Sequence, residues 1–214
     1  MLARANARSY LVGMIGRRTG ADIFVGTARI NELHRKVGAI VTSLGGVEET
    51  LRFLDWNLMA FDLAAHMPAG TPADDIVRAL QPIKATYFAK HKVLSRILEG
   101  VTKGFGKTSV QNALGNGAGA IFAQWQSHEA VAKDLGNRRN AVAHAVVGLT
   151  GASPVRGYGF TTPSQPFQSG DDDRLLTEIG SFGQALLMFV QEVQAKLPFR
   201  DNVSVHTATA TLRL

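Results

Sequence analysis

Arginine, asparagine and histidine lie close together in the segment from Leu135 to Gly148, whose central string reads Arg139-Asn-Ala-Val-Ala-His144. An arginine carries a permanent charge on a planar fork that matches phosphate oxygens. A histidine titrates near neutral pH and can therefore move a proton at an attacking or leaving oxygen. Asn140 and His144 are spaced as i and i+4, which puts them on one face of a helix. These groups suit metal-free RNA cleavage, in which a 2′-hydroxyl attacks the adjacent phosphate.

The spacing of arginine and histidine is not selective by itself. Arg29 and His34 share it, and Arg200 with His206 fits a looser form of the same pattern. The pair in the segment 135–148 differs from these because an asparagine follows the arginine directly and small residues surround both side chains. That context makes it the strongest candidate site in the sequence.

A helix start is predicted immediately before the candidate site. Gly136-Asn137 combines a residue typical of a helix C-cap with a residue typical of a new N-cap. We therefore expect a short helix from Arg138 to about Val147, with Arg139 in its first turn. Free backbone N–H groups at such a position favour the binding of an anion.

Other catalytic and binding motifs are not matched. Gly104–Ser109 contains Gly-Lys-Thr, but a phosphate loop also needs a glycine where this chain has Val101, and it must follow a buried strand. Gly115–Gly119 fails the dinucleotide fingerprint because a helix is predicted before it. The chain has no cysteine, and its 6 histidines show no metal-ligand spacing. We therefore expect neither a metal nor an organic cofactor.

The string Arg139–His144 resembles the R-N-x-x-x-H signature of HEPN domains, all-α proteins of bacterial toxin–antitoxin and anti-phage systems. The similarity extends loosely over residues 27–197. A long first helix, a middle helix around Phe88, the motif helix, a hairpin-like insert and a final amphipathic helix follow a similar order. Family members often have a glycine directly after the histidine, where this chain has Ala145.

The resemblance implies catalytic roles for three residues. Arg139 would bind the scissile phosphate, His144 would act as the general acid and base, and Asn140 would support them. The function implied is that of a metal-independent endoribonuclease acting as a toxin or anti-phage effector. The alternative hypothesis is a catalytically inactive, HEPN-like dimeric module for binding or scaffolding.

Supporting residues and partners follow from the same resemblance. Glu48 or Glu49 on the first helix would orient the site, and Arg138 would add positive charge. Active family members join the motifs of two protomers in one groove, so a homodimer acting on RNA is implied. An antitoxin or sensor protein is a further possible partner, and the absence of cysteine is compatible with the cytoplasm.

The longest element that must position these residues is the first helix. Apolar residues recur at alternate spacings of three and four from Ile30 to Phe61, which predicts one helix with a weak or bent point at Gly45-Gly46. The chain between Thr71 and about Val101 is predicted to form two shorter helical segments, with Pro82 either restarting or kinking the helix. The glycine-rich stretch 100–119 is typical of a loop.

The remaining segments complete an all-α prediction. A helix is expected over about 118–135, a small β-hairpin or ordered loop between 149 and 170, and a final helix over Leu175–Leu197. The predicted architecture is a helical bundle with one long first helix and a small β-hairpin insert before the last helix. We divide the chain into a basic N-terminal arm (1–26), a HEPN-like domain (27–200) and a C-terminal tail (201–214).

Composition and charge limit the remaining possibilities. The 214 residues are 45% hydrophobic and 19% charged, which is typical of a folded domain, and no stretch is apolar for long enough to span a membrane. The net charge is +6, and residues 1–21 supply four arginines and no acid. That arm could contact phosphates of RNA or of a membrane surface, could resemble an organellar presequence, or could have no specific role.

Overall fold

A computed structural model of the chain describes residues 20–90, 93–143, 146–150, 153–157, 165–166 and 169–197. The helices in these ranges are α1 (Gly20–Ala65), α2 (Ala73–Lys90), α3 (Leu94–Phe105), α4 (Thr108–Leu114), α5 (Ala118–Ala143) and α6 (Ser169–Lys196). A 3₁₀ turn, Gly115–Gly117, connects α4 to α5. The all-α class is confirmed. The C-terminal tail and most of the N-terminal arm lie outside the described residues.

Three short strands lie between α5 and α6 in the sequence. They are β1 (Val146–Thr150), β2 (Ser153–Gly157) and β3 (Gln165–Pro166), and they form one antiparallel sheet in the order β1-β2-β3. Val146 pairs with Gly157 at one end of the β1–β2 ladder, and Thr150 pairs with Ser153 at the other.

The long first helix is confirmed and is longer than predicted. Seven of the ten residues of its apolar stripe are buried, and α1 passes through Gly45-Gly46 without interruption. It contains 46 residues, compared with the 32 residues from Ile30 to Phe61 that the stripe predicts. Side chains of the stripe that are fully buried are Leu33, Ile40, Leu44, Leu51, Leu54 and Leu58.

The chain divides into two compact units. The first contains residues up to Gly45 together with Asp134–Ser181, and the second contains Gly46–Lys133 together with the residues from Phe182 onward. Helices α1, α5 and α6 each contribute one part to the first unit and one part to the second.

In the first unit, polar contacts tie two helices to α6. Lys36 of α1 donates to Asp173 of α6 at 2.7 Å, and Arg138 of α5 bonds to Glu178 of α6. The hydrogen bond to Asp173 raises the pKa of Lys36 above its ordinary 10.5. The buried apolar side chains of this unit come from the same three helices, and they include Leu33, Ile40, Leu44, Leu135, Val142, Leu175 and Ile179.

The second unit is built around buried aromatic rings. Phe105 of α3 lies 6.0 Å from Trp125 of α5 and 6.1 Å from Phe189 of α6, measured between ring centroids. Trp125 also donates its indole N–H to Thr102 Oγ1 at 2.9 Å, which satisfies the polar atom of a fully buried ring. A smaller cluster joins α1 to α2 through Trp56, Ala60, Ile76, Leu80 and Tyr87.

The predicted loop over residues 100–119 is wrong, since α3, α4 and the 3₁₀ turn occupy most of it. Two of its glycines lie inside α3, where they permit close packing against α1. A Cβ atom on Gly100 would lie 2.2 Å from Asp55 Oδ2, and one on Gly104 would lie 2.8 Å from Leu58 Cβ. A larger residue at either position would therefore not fit between α1 and α3.

A restart of the helix at Pro82 is also wrong. Helix α2 continues through Pro82 to Lys90, and α3 starts only at Leu94. Proline removes one helical hydrogen bond, but packing of Ile76, Leu80 and Tyr87 on both sides of it keeps the helix in one piece.

Candidate functional site

The helix that carries the candidate site does not begin where the sequence predicts. Helix α5 runs without a break from Ala118 through Gly136-Asn137 to Ala143. Gly136 is buried within the helix beside Leu135. The tertiary packing there outweighs the roughly 1 kcal/mol by which glycine disfavours a helix interior. The prediction of a capped helix start at Arg138 is therefore wrong.

This correction changes the electrostatics at Arg139. The residue lies one turn before the C-terminal end of α5 and not at a helix N-terminus. Backbone N–H groups are consequently not available there to bind an anion. The C-terminal end of a helix dipole favours cations instead, so the helix stabilises the two arginines at positions 138 and 139.

Arg138 is used in an ion-pair cluster within the first unit. Its Nη1 hydrogen-bonds to Glu178 of α6 and lies 3.4 Å from Asp134 Oδ2, one turn earlier on α5. The hydrogen bond to Glu178 raises the pKa of Arg138 above its ordinary value. The guanidinium thus joins the end of α5 to α6, and this contact fixes the backbone beside Arg139.

Arg139 and Asn140 differ in exposure. Arg139 is partly buried and has an interaction partner in the structure, whereas Asn140 is exposed to solvent. His144 follows the last residue of α5, Ala143, and lies outside the described residues. The structure therefore places two of the three predicted catalytic residues side by side on one helix.

Glu48 and Glu49 belong to the second unit. Glu49 is exposed and pairs with Arg52 one turn further along α1, while Glu48 is partly buried. The described part of the chain brings Arg138, Arg139 and Asn140 together on α5 in the first unit.

A polar cluster that the sequence did not predict lies where α1 ends and α4 begins. Asp62 of α1 accepts a hydrogen bond from Ser109 Oγ at 2.5 Å, and Lys107 Nζ lies 3.3 Å from its other oxygen. Burial raises the pKa of Asp62, but the hydrogen bonds from Ser109 and Lys107 outweigh burial and hold that pKa below its ordinary 3.8.

The polar contacts of this cluster join α1 to α4. The hydroxyl of Ser109 donates its proton to a carboxylate that stays ionised at neutral pH. His66 Nδ1 lies 2.6 Å from the backbone oxygen of Asp62, so that nitrogen interacts with the helix end. Lys107 and Ser109 are part of the Gly-Lys-Thr-Ser segment rejected above as a phosphate loop, and helix α3 does precede that segment.

A second unpredicted pair, Asp55 and Tyr87, is buried in the second unit. The Tyr87 hydroxyl donates to Asp55 Oδ2, and burial together with this hydrogen bond raises the pKa of Tyr87 well above its ordinary 10.0. Gly100 packs directly on the same carboxylate. The repeat Gly100-x-x-x-Gly104 is the sequence signal that could have indicated this close helix contact.

Two kinds of structural feature are absent from the described residues. No group of three or more histidine, cysteine, aspartate or glutamate side chains in that part of the chain is arranged to hold a metal ion. Among the helices of the same residues, none combines the length and the apolar character needed to cross a lipid bilayer.

Comparison with known proteins adds no assignment to these observations. No protein-family model matches the chain, and neither a curated protein nor a solved structure does so.

Proposed function

We propose that this chain is a metal-independent endoribonuclease of the HEPN type, which acts in the cytoplasm as a toxin or anti-phage effector. The observation that carries the proposal is the string Arg139–His144, which includes the last residues of a helix that runs to Ala143. Arg139 and Asn140 are held there by regular backbone, and Arg138 anchors the same turn to α6. Rigid placement of a phosphate-binding arginine is what catalysis by positioning requires.

The proposed reaction uses only side chains of the protein and the RNA itself. His144 removes the proton of a 2′-hydroxyl, whose oxygen attacks the adjacent phosphorus. The bond to the 5′-oxygen of the next nucleotide breaks, and this oxygen takes up the proton that His144 carries. Arg139 binds the phosphate oxygens and offsets the negative charge that develops on them. The products are a 2′,3′-cyclic phosphate and a 5′-hydroxyl.

The wider proposal includes the assembly. Two protomers would bring their motifs into one groove, so that paired copies of Arg138 and Arg139 attract RNA. Glu48 or Glu49 would orient the site, and an antitoxin or sensor protein would control it. The proposal also includes the predicted hairpin insert, which β1 and β2 would form before the last helix. The antiparallel pairing of these two strands supports that assignment.

A specific observation favours the second candidate function, an inactive dimeric binding or scaffold module. Arg138 is committed to Asp134 and Glu178, and Arg139 is partly buried with a partner of its own. Arginines held in this way contribute to the packing of α5 and α6 whether or not any RNA is bound.

Cleavage of RNA in the presence of EDTA separates the two functions. We expect wild-type protein to cut RNA. Arg139→Ala removes the side chain that binds the phosphate, and His144→Ala removes the group that transfers the proton. Each variant should therefore cleave about 100-fold or more slowly. Cleavage is measured on gels with total RNA as the substrate.

The chain offers a matched control for this experiment. His34 is exposed on α1 and has the same spacing from Arg29 as His144 has from Arg139, so His34→Ala should cleave like wild type. Wild-type protein that leaves RNA intact, alone and with candidate activators, would contradict the nuclease proposal. Thermal destabilisation of Arg139→Ala in such an inactive protein would support the scaffold.

A further inference from the structure

Asp172, near the start of α6, is a buried acid in a row of apolar residues. Leu175 and Ile179 are buried on the core side of α6 at helical spacing, and Asp172 continues their row one turn earlier. Asp172 is 2% exposed, whereas Asp171 and Asp173 on either side of it are exposed. Of the acids whose side chains are described in the first unit, only Asp172 is buried. A buried carboxylate requires a specific hydrogen-bond donor, which gives this position a purpose beyond packing.

Cations on the neighbouring helices of the first unit are paired with other acids. Lys36 of α1 lies 2.7 Å from Asp173 and 3.5 Å from Glu32. Arg138 of α5 bonds to Glu178 of α6. Both cations therefore have partners that are not Asp172.

Contacts between α5 and α6 show that the two helices are antiparallel. In the second unit the rings of Trp125 and Phe189 stack with their centroids 6.5 Å apart. The ring of His128 lies 5.9 Å from that of Phe182. Residue numbers thus fall along α6 as they rise along α5, and both helices continue without a break into the first unit.

In the first unit, the contact of Arg138 with Glu178 fixes the register of these helices. Asp172 lies six residues before Glu178, and position 144 lies six residues after Arg138. Six residues correspond to about 9 Å along a helix axis, so Asp172 lies level with the end of α5 at Ala143. The next residue in the chain is His144, whose Cα atom is one peptide unit, about 3.8 Å, from that of Ala143.

We propose that Asp172 is the positioning residue for His144: its carboxylate accepts a hydrogen bond from one imidazole N–H and leaves the other nitrogen for the RNA. Such a carboxylate fixes the tautomer of a histidine and favours its protonated form. In the proposed reaction, His144 holds a proton between its removal from the 2′-hydroxyl and its transfer to the 5′-oxygen. The charge of Asp172 stabilises that protonated imidazole.

This inference rests on the proposed function, because it assigns a further residue to the same site. It adds an acid of the first unit and changes no step of the reaction. The test is a titration of His144 without RNA, so a failure of the inference is distinguishable from an absence of nuclease activity.

NMR titration of the full-length protein with isotope-labelled histidine measures the pKa of His144, and His144→Ala identifies its signal. In wild type we expect that pKa to lie above the ordinary value of about 6.5. Asp172→Asn keeps the shape of the side chain and removes its charge, so it is expected to lower the pKa of His144 by about one pH unit. The acid limb of the pH profile of RNA cleavage should move down by the same amount, because the base must be deprotonated.

Asp171→Asn is the matched control, because it removes the same charge from an exposed side chain one position earlier. It should leave the pKa of His144 close to that of wild type. Asp172→Glu retains the charge and should retain the raised pKa, and together with wild type it decides the matter if Asp172→Asn does not fold. A wild-type pKa of His144 at or below its ordinary value would overturn the inference. So would a pKa that Asp172→Asn leaves unchanged, or an equal fall in Asp171→Asn.

Discussion

At the residue scale, two glycines and a buried carboxylate determine how α3 packs on α1. Gly100 leaves room for Asp55, whose oxygen is held by the hydroxyl of Tyr87. A buried carboxylate requires a hydrogen-bond donor, and here the donor comes from a different helix, α2. The identity of each of these residues is therefore set by its neighbours and not by local helix propensity.

Gly100→Ala is expected to destabilise the protein by about 1–3 kcal/mol, because the new methyl group would overlap the held carboxylate of Asp55. Urea denaturation followed by circular dichroism measures the change. Gly45→Ala is the control, since nothing lies within 4 Å of a Cβ at that helical position. The control should gain about 0.5–1 kcal/mol from helix propensity alone. A Gly100→Ala protein as stable as wild type would contradict the packing described.

The candidate site could be predicted from the sequence only in part. The string Arg139–His144 gives the residue types and their order, but the ion pair of Arg138 depends on Glu178, far along the chain. No local pattern predicts such a pairing. The Asp62–Ser109 contact was missed for the same reason, because its partners come from different helices.

At the element scale, sequence periodicity succeeded where burial follows one stripe and failed where glycine packs against a neighbour. Helix α1 was predicted because its apolar residues recur at helical spacing. Helices α3 and α5 contain Gly100, Gly104 and Gly136, which propensity assigns to loops or caps. In the folded chain all three lie in helix interiors. Gly104 and Gly136 are buried, and a Cβ atom at Gly100 or Gly104 would overlap a side chain of α1.

The hydrogen bond from Ser109 of α4 to Asp62 of α1 gives a prediction about the pH dependence of stability. The pKa of Asp62 is lowered in the folded state, so its hydrogen bonds stabilise the protein above pH 3.8 and lose that effect as the pH falls below it. Ser109→Ala is expected to cost about 1.5–3 kcal/mol at pH 7, the usual value for a hydrogen bond to a charged group. The difference from wild type should shrink at pH 3.

Denaturation at both pH values measures this effect. Ser127→Ala is the control, because that exposed hydroxyl donates to the neutral backbone oxygen of Ala123 in its own helix, at 3.3 Å. Its small effect on stability should be the same at pH 7 and pH 3. An equal cost of Ser109→Ala at both pH values would rule out a contribution from the ionised Asp62.

At the scale of the whole molecule, the distribution of charge matters more than the total of +6. Four arginines precede α1 in the sequence, whereas α5 and α6 expose long uncharged stretches in the second unit. In the first unit, Arg138 and Arg139 lie at one end of α5. The net charge of the whole sequence is therefore a poor guide to the charge of either unit.

The chemical ends of the RNA products test the central claim, that Arg139 and His144 promote attack by a 2′-hydroxyl. Wild-type protein in EDTA should yield 2′,3′-cyclic phosphate and 5′-hydroxyl ends, and an RNA with a 2′-deoxy nucleotide at the cleaved position should remain uncut there. RNA that stays intact under all conditions, or products with 3′-hydroxyl and 5′-phosphate ends, would contradict the account.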